Sequence, residues 1–230
     1  MKFQSSYFSR AEKLLWSLSV LAIILSFALF DRESYLTLWA SLIGVSSLLF
    51  NAKGNPFGQV LMIVFSLLYG FISWDMAYYG EMITYLGMTA PMALVALISW
   101  LRNPFNGNRA EVEINRLKPA EYCFMAAITV IVTCVFYHVL AALDTANIVP
   151  STVSVTTSFL AVYLTFRRSE YYALGYAAND IVLIILWSAA SCYDARYISV
   201  VTCFTAFLFN DLYGYISWSK MKRRQQAIRG

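Results

Sequence analysis

Two Asn-Asp pairs, Asn179–Asp180 and Asn210–Asp211, stand inside strongly apolar runs, "GYAANDIVLIILW" and "FTAFLFNDLYGYISW". Amides and carboxylates in such surroundings suit one task above others, holding a polar solute away from water. Asp180 lies nine residues past Tyr171, roughly 14 Å along a helix at ~1.5 Å per residue, which is close to the middle of a bilayer. An ionised side chain at that depth costs about 2.5–3.5 kcal/mol on insertion scales, so it is expected to face the interior of a helix bundle. No Lys or Arg lies deep in any apolar run to neutralise Asp180 or Asp211. The interior is therefore net acidic, or one acid carries a proton. Such a chamber suits a cationic or proton-donating solute and repels a phosphate. The competing reading makes each acid interhelical glue, hydrogen-bonded to Asn, Thr or Tyr.

Other candidate contacts are Gln59, Tyr69, Tyr85 and Thr89, the last two four residues apart on one helix face beside Pro91. Trp187 follows Asp180 by seven residues, two helical turns, and so shares its face. An aromatic ring near a carboxylate offers a slot for a flat cation through stacking and cation–π attraction.

Catalysis finds little support. An enzyme needs a nucleophile, a base and oxyanion donors in one place. The single histidine, His138, is expected to be a packing residue, and no G-x-S-x-G motif occurs. Asp180 and Asp211 would form an intramembrane aspartyl dyad only if the fold brought them together. The four cysteines lack C-x-x-C spacing and read as small apolar packing residues, so neither a disulfide frame nor a metal site is expected. No cofactor is expected, and no P-loop is visible for direct ATP drive.

The elements that must position these groups are membrane helices. Hydrophobic residues make up 60% of the 230 and charged ones 13%, about half the charge a water-soluble domain carries. Spans of about 20 apolar residues appear at 13–30, 35–50, 56–78, 81–101, 121–143, 150–166, 171–191 and 196–218. The first has a basic start and could be taken for a signal peptide, but its apolar stretch is long and its cleavage site weak. Of the 17 Lys and Arg residues, all but Arg32 and Arg196 fall on one side of this eight-span alternation. The positive-inside rule then places both termini in the cytoplasm. The basic end of the chain suits anionic lipid, though fixing orientation is enough to explain it.

Shifting the chain by 115 residues superposes helix starts: Tyr35 falls on Pro150, Lys53 on Arg168 and Trp100 on Tyr215. The expected fold class is all-α integral membrane, with eight transmembrane helices in two parallel three-helix repeats. The expected domains are an extra N-terminal helix (1–34), a first repeat (35–101), a cytoplasmic loop with linking helix (102–149), a second repeat (150–218) and a basic cytoplasmic tail (219–230). An odd triplet needs one extra crossing before a repeat of the same sense, which the linking helix supplies. In such transporters the substrate site lies at the midplane between the repeats.

This combination resembles the PnuC family of bacterial nicotinamide riboside transporters. The resemblance rests on "NAKGNPFGQVLMIVFSLLYGFISWDMAYYGEMITYLGMTAPM", "TTSFLAVYLTFRRSEYYALGYAANDIVLIILW" and "FNDLYGYISW", and covers about residues 35–218. It implies the 3+1+3 helix plan of SWEET proteins and an inner-membrane location. It implies facilitated uptake of an unphosphorylated vitamin precursor, which a cytoplasmic kinase then traps. A homo-oligomer, with a trimer as the expected form, is implied as well; nucleic acid is not a partner. Relatives carry thiamine, riboflavin or deoxynucleosides, so likeness of fold leaves the substrate open among these. The amides Gln59, Asn179 and Asn210 suit the carboxamide and hydroxyls of nicotinamide riboside, and an acid suits its pyridinium.

Overall fold

A computed structural model describes residues 7–76, 78–145 and 147–229. Among them are eight long helices: α1 (Arg10–Phe30), α2 (Tyr35–Ala52), α3 (Phe57–Asp75), α4 (Tyr79–Arg102), α5 (Pro119–Ala142), α6 (Ile148–Phe166), α7 (Tyr172–Ser191) and α8 (Ile198–Arg229). The first seven are long and apolar enough to cross a membrane. In α8 the polar pair Asn210–Asp211 and a basic last third dilute the apolar stretch. The chain is thus a multi-pass helical membrane protein. Most helix limits agree with the sequence reading to within a turn.

Six helices close a ring in the order α2, α3, α4, α6, α7, α8, with α8 returning to α2. The linking helix α5 packs outside the ring on α6, and α1 packs outside it on α2 and α8. Close approach has local causes. Gly175 lets α7 lie against α6; a Cβ there would stand 2.9 Å from the Ala161 Cα. Helix α1 begins on a capping box, in which Ser9 Oγ accepts from the Glu12 N–H and Glu12 accepts from the Ser9 N–H.

Helix α4 is not regular. Thr84–Thr89 forms a π-turn, closed by the Ala90 N–H donating to the Tyr85 carbonyl. The cause lies two residues on from Thr89. Pro91 has no N–H for the Gly87 carbonyl, and its ring crowds that carbonyl. Winding the preceding turn wide relieves both problems. The Thr89 hydroxyl donates to the Thr84 carbonyl at 3.2 Å and helps hold the wide turn.

The end of the ring bearing the basic turns is cross-braced. Ser99 Oγ donates to the Phe166 carbonyl and Trp100 Nε1 to the Thr165 carbonyl, each at 3.0 Å. In the same fashion Ser217 Oγ donates to the Ala52 carbonyl and Trp218 Nε1 to the Asn51 carbonyl, each at 2.7 Å. The final Ser-Trp of α4 thus caps the end of α6, and the Ser-Trp of α8 caps the end of α2. The two indoles meet with centroids 5.4 Å apart, both fully buried.

Two segments expected as loop and tail are ordered differently. Pro104–Phe105 and Asn108–Val112 pair as an antiparallel hairpin. Its turn is Asn106–Gly107, both at positive φ (49° and 78°), the conformation an Asn-Gly pair favours in a two-residue turn. Helix α8 does not stop near Trp218 but runs through the basic tail to Arg229. Lys222 pairs there with Glu170 and Arg224 with Glu111, and Gln225 is buried against the hairpin. Residues 103–118 so form a strap across the basic end. The Val112 N–H donates to the Gly54 carbonyl in the α2–α3 turn, and the Asn115 N–H to the Arg168 carbonyl in the α6–α7 turn. Gly54 and Arg168 both adopt positive φ (65° and 58°). Partial burial in that turn lowers the Arg168 pKa from its ordinary value, and nearby Glu113 opposes the shift.

Candidate functional site

The middle of the ring holds a small chamber with a wall from all six helices. Leu48 of α2, Met62 and Phe65 of α3, Tyr85 and Thr89 of α4, and Ser158 of α6 form one side. Tyr176, Asn179 and Asp180 of α7 and Phe204, Phe207 and Asp211 of α8 complete it. The void is about 20 Å³, room for about one water molecule. The chamber is collapsed and must widen to admit a solute.

Asp180 and Asp211 are each 3% exposed and line the same small void. Two carboxylates confined together in a dry interior repel strongly, which favours a proton on one of them. Asp180 Oδ2 has no hydrogen-bond partner. No Lys or Arg contributes to the wall. Asn179 is held firmly: its Oδ1 accepts from Ser154 Oγ, Thr157 Oγ1 and Ser158 Oγ at 3.2, 2.9 and 3.0 Å. That fixes the amide's orientation, with its oxygen toward α6.

Five of the nine candidates thus meet in the chamber: Tyr85, Thr89, Asn179, Asp180 and Asp211. The other four lie elsewhere. Gln59 sits nearer the basic end, where its Nε2 donates to Asn51 Oδ1 at 2.8 Å. Asn210 points away from the ring centre; its Nδ2 donates to Ser19 Oγ of α1 at 2.9 Å and to the Ala206 carbonyl. Tyr69 packs behind Tyr85 with centroids 4.5 Å apart and the rings tilted at 58°. Trp187 lies one layer further out, among Tyr78 (4.6 Å), Tyr197 (5.3 Å) and Tyr69 (6.4 Å).

That outer layer contains a residue sequence reasoning passed over. Glu81, in the first turn of α4, is 2% exposed and its Oε2 has no hydrogen-bond partner. Tyr69 Oη, Ser73 Oγ and Trp187 Nε1 are likewise buried without a hydrogen bond. Unsatisfied polar atoms in a dry interior are expensive, and these four are grouped on neighbouring turns of α3, α4 and α7. Tyr176, four residues before Asp180, and Phe204 and Phe207, seven and four before Asp211, were also missed. Helical spacing alone could have found them.

A small aromatic and acidic chamber at the centre of a ring of membrane helices suits the class of solute transporters. The comparisons agree and narrow it. Residues 34–220 match the family model described as nicotinamide mononucleotide transporter. Nicotinamide riboside transporter PnuC of Neisseria mucosa is 27% identical over 220 residues, covering 92% of this chain and 82% of that one. The PnuC of Haemophilus influenzae is 23% identical over 194 residues, covering 84% and 82%. A crystal structure of the vitamin B3 transporter PnuC superposes with a TM-score of 0.83 at 22% identity, covering 95% of this chain and 94% of the other. The chain belongs to the PnuC family of membrane transporters.

Proposed function

We propose that this chain takes up nicotinamide riboside across the bacterial inner membrane by facilitated diffusion with alternating access. The observation that carries the reading is the chamber: two neighbouring acids, a fixed amide and aromatic rings, with no cation in the wall. A pyridinium riboside matches this set by charge, stacking and hydrogen bonding. A phosphate does not, so the riboside is favoured over the mononucleotide named by the family model. Gln59, Tyr69 and Trp187 complete the proposed contact set as the chamber widens toward its two ends, whereas Asn210, held by Ser19 of α1, would join only by turning inward.

In this reading α8 is the eighth span, because its apolar half occupies the same ring as five helices long and apolar enough to cross. Residues 35–101 and 150–218 are the two repeats, 102–149 the linking segment, 1–34 the extra helix and 219–230 the basic tail. The ring order, which sets α2, α3 and α4 opposite α6, α7 and α8, supports this division. So do the matched Ser-Trp braces. Both termini and the strap lie in the cytoplasm, by the distribution of basic residues. The indole pair Trp100–Trp218 closes the inner side, and the Tyr69, Tyr78, Trp187 and Tyr197 layer closes the outer side. No ion gradient or cofactor is required, a cytoplasmic kinase traps the cargo, and the protein works as a homo-oligomer, a trimer by resemblance.

Proteoliposomes loaded with the purified chain test this. Labelled nicotinamide riboside should enter without ATP or an ion gradient and equilibrate. Thiamine, riboflavin and deoxynucleosides are the alternative cargoes; uptake of one of these with none of the riboside would overturn the assignment. Both acids line one chamber, as an aspartyl dyad would, so recovery of intact cargo inside the vesicle is part of the result.

A further inference from the structure

Beside the strap lies a second, larger cavity of about 360 Å³, unconnected with the central chamber by any shared wall residue. Four parts of the chain build it, Tyr7 before α1 being one. The α2–α3 turn gives Lys53, the hairpin gives Asn108 and Glu111, and α8 gives Lys220 and Arg224 on successive turns of one face. Three cations thus face one wall carboxylate. Lys53 reaches Glu12 at 3.1 Å and lies 5.7 Å over the Tyr7 ring, and Arg224 pairs with Glu111. Lys220 has no ion pair among the described residues. Counting Glu12 behind Lys53, the site retains net positive charge. Its volume falls in the range that encloses small ligands, roughly 300–1,000 Å³.

We infer that this cavity is a binding site for a phosphate group. A phosphomonoester carries about −1.5 to −2 at neutral pH and is matched by an Arg fork and Lys ammonium groups converging from separate elements. The solute the central chamber rejects on charge is therefore the kind this cavity accepts. Resting on the transport reading above, the inference has a consequence. A ligand held jointly by the α2–α3 turn, the strap and α8 fastens together the parts that must separate for the inner side to open. A phosphorylated product accumulating in the cytoplasm would slow further uptake. A phosphodiester of the inner leaflet offers the same chemistry, and the experiment separates the two sources.

The purified full chain is placed in nanodiscs of phosphatidylcholine and its thermal unfolding followed while nicotinamide mononucleotide or inorganic phosphate is titrated. A saturable rise in midpoint is expected for the free ligand, or on replacing part of the lipid by phosphatidylglycerol if the phosphate belongs to lipid. Lys220→Ala with Arg224→Ala should weaken the response at least tenfold, while Asp180→Asn with Asp211→Asn should leave it intact. No rise with either source, or an equal rise in the Lys220/Arg224 variant, overturns the site. Mononucleotide trapped inside proteoliposomes should slow riboside entry in the native chain and not in the Lys220/Arg224 variant. Entry of riboside that ignores the trapped mononucleotide refutes the regulatory consequence, whereas no entry of riboside under any condition refutes the transport reading instead.

Discussion

Replacing Asp180 and Asp211 together by Asn should remove the charge that favours a cationic cargo while keeping the shape of the wall. The size of the effect follows from geometry. Both carboxyls are buried to 3% exposure, so bulk water does not screen them. A pyridinium in contact with the pair, at ~4 Å and an effective dielectric of ~20, gains about 4 kcal/mol. Part of that offsets the cargo's own desolvation, leaving on the order of 2–3 kcal/mol, or roughly 30–150-fold in Kd. The single change Asp180→Asn should behave differently. Two carboxyls lining one small void favour a single negative charge between them, and with an amide at 180 that charge remains on Asp211. Isothermal titration calorimetry should therefore find the single variant within about threefold of the native chain. The reduced riboside, whose dihydropyridine ring is neutral, supplies the control: its affinity should change little in either variant. Equal losses for the charged and neutral forms, or native affinity for the cation in the double variant, would refute the electrostatic argument.

Three further outcomes are expected from packing. Gly175→Ala puts a methyl 2.9 Å from the Ala161 backbone and should lower stability by about 1–3 kcal/mol in a denaturant titration, because main chain cannot step aside as a flexible side chain can. Trp218→Phe deletes the 2.7 Å donor to the Asn51 carbonyl and thins the packing against Trp100 at the basic end. It should cost about 2 kcal/mol and make a cysteine introduced at Ser158 react faster with a thiol reagent from the basic side. Gln225→Ala removes the side chain that donates to the Val112 carbonyl and accepts from the Ile114 N–H, each at 2.9 Å. Amide exchange at Val112 and Asn115 should then quicken roughly thirtyfold, as about 2 kcal/mol of tethering is lost.

How far the sequence could lead depended on whether a feature was periodic. The inward aspect of Asp180 follows from the cost of charge in lipid, and its place in the chamber wall agrees. Adjacent residues on a helix stand about 100° apart, which is why Asp211 faces the chamber while Asn210 turns to Ser19 on α1. Trp187 shares the face of Asp180, as seven residues imply, but seven residues also carry it about 10 Å along the axis, into the next layer. Glu81 read only as a helix start because nothing local signals that α4 begins inside the bundle. The paired braces were hidden by assuming one constant offset. "ISW" at 98–100 recurs at 216–218, whereas the turns they cap, at Asn51 and Thr165, are spaced differently. The hairpin did carry a local sign, the Asn106–Gly107 dipeptide, that the apolar-run reading overlooked.

The wide turn at Thr84–Thr89 bears on how one wall of the ring can move without the ring coming apart. A π-turn stores a surplus residue relative to an α-turn. Absorbing that surplus would swivel the segment before it by about 100° about the helix axis, carrying Glu81 and Tyr85 to new bearings. The segment after it, Ala90–Arg102, would stay moored through Ser99 and Trp100. One span thereby has a joint partway along its length, where the half before the wide turn could take a new bearing only by repacking, while the half beyond it stays tied to α6.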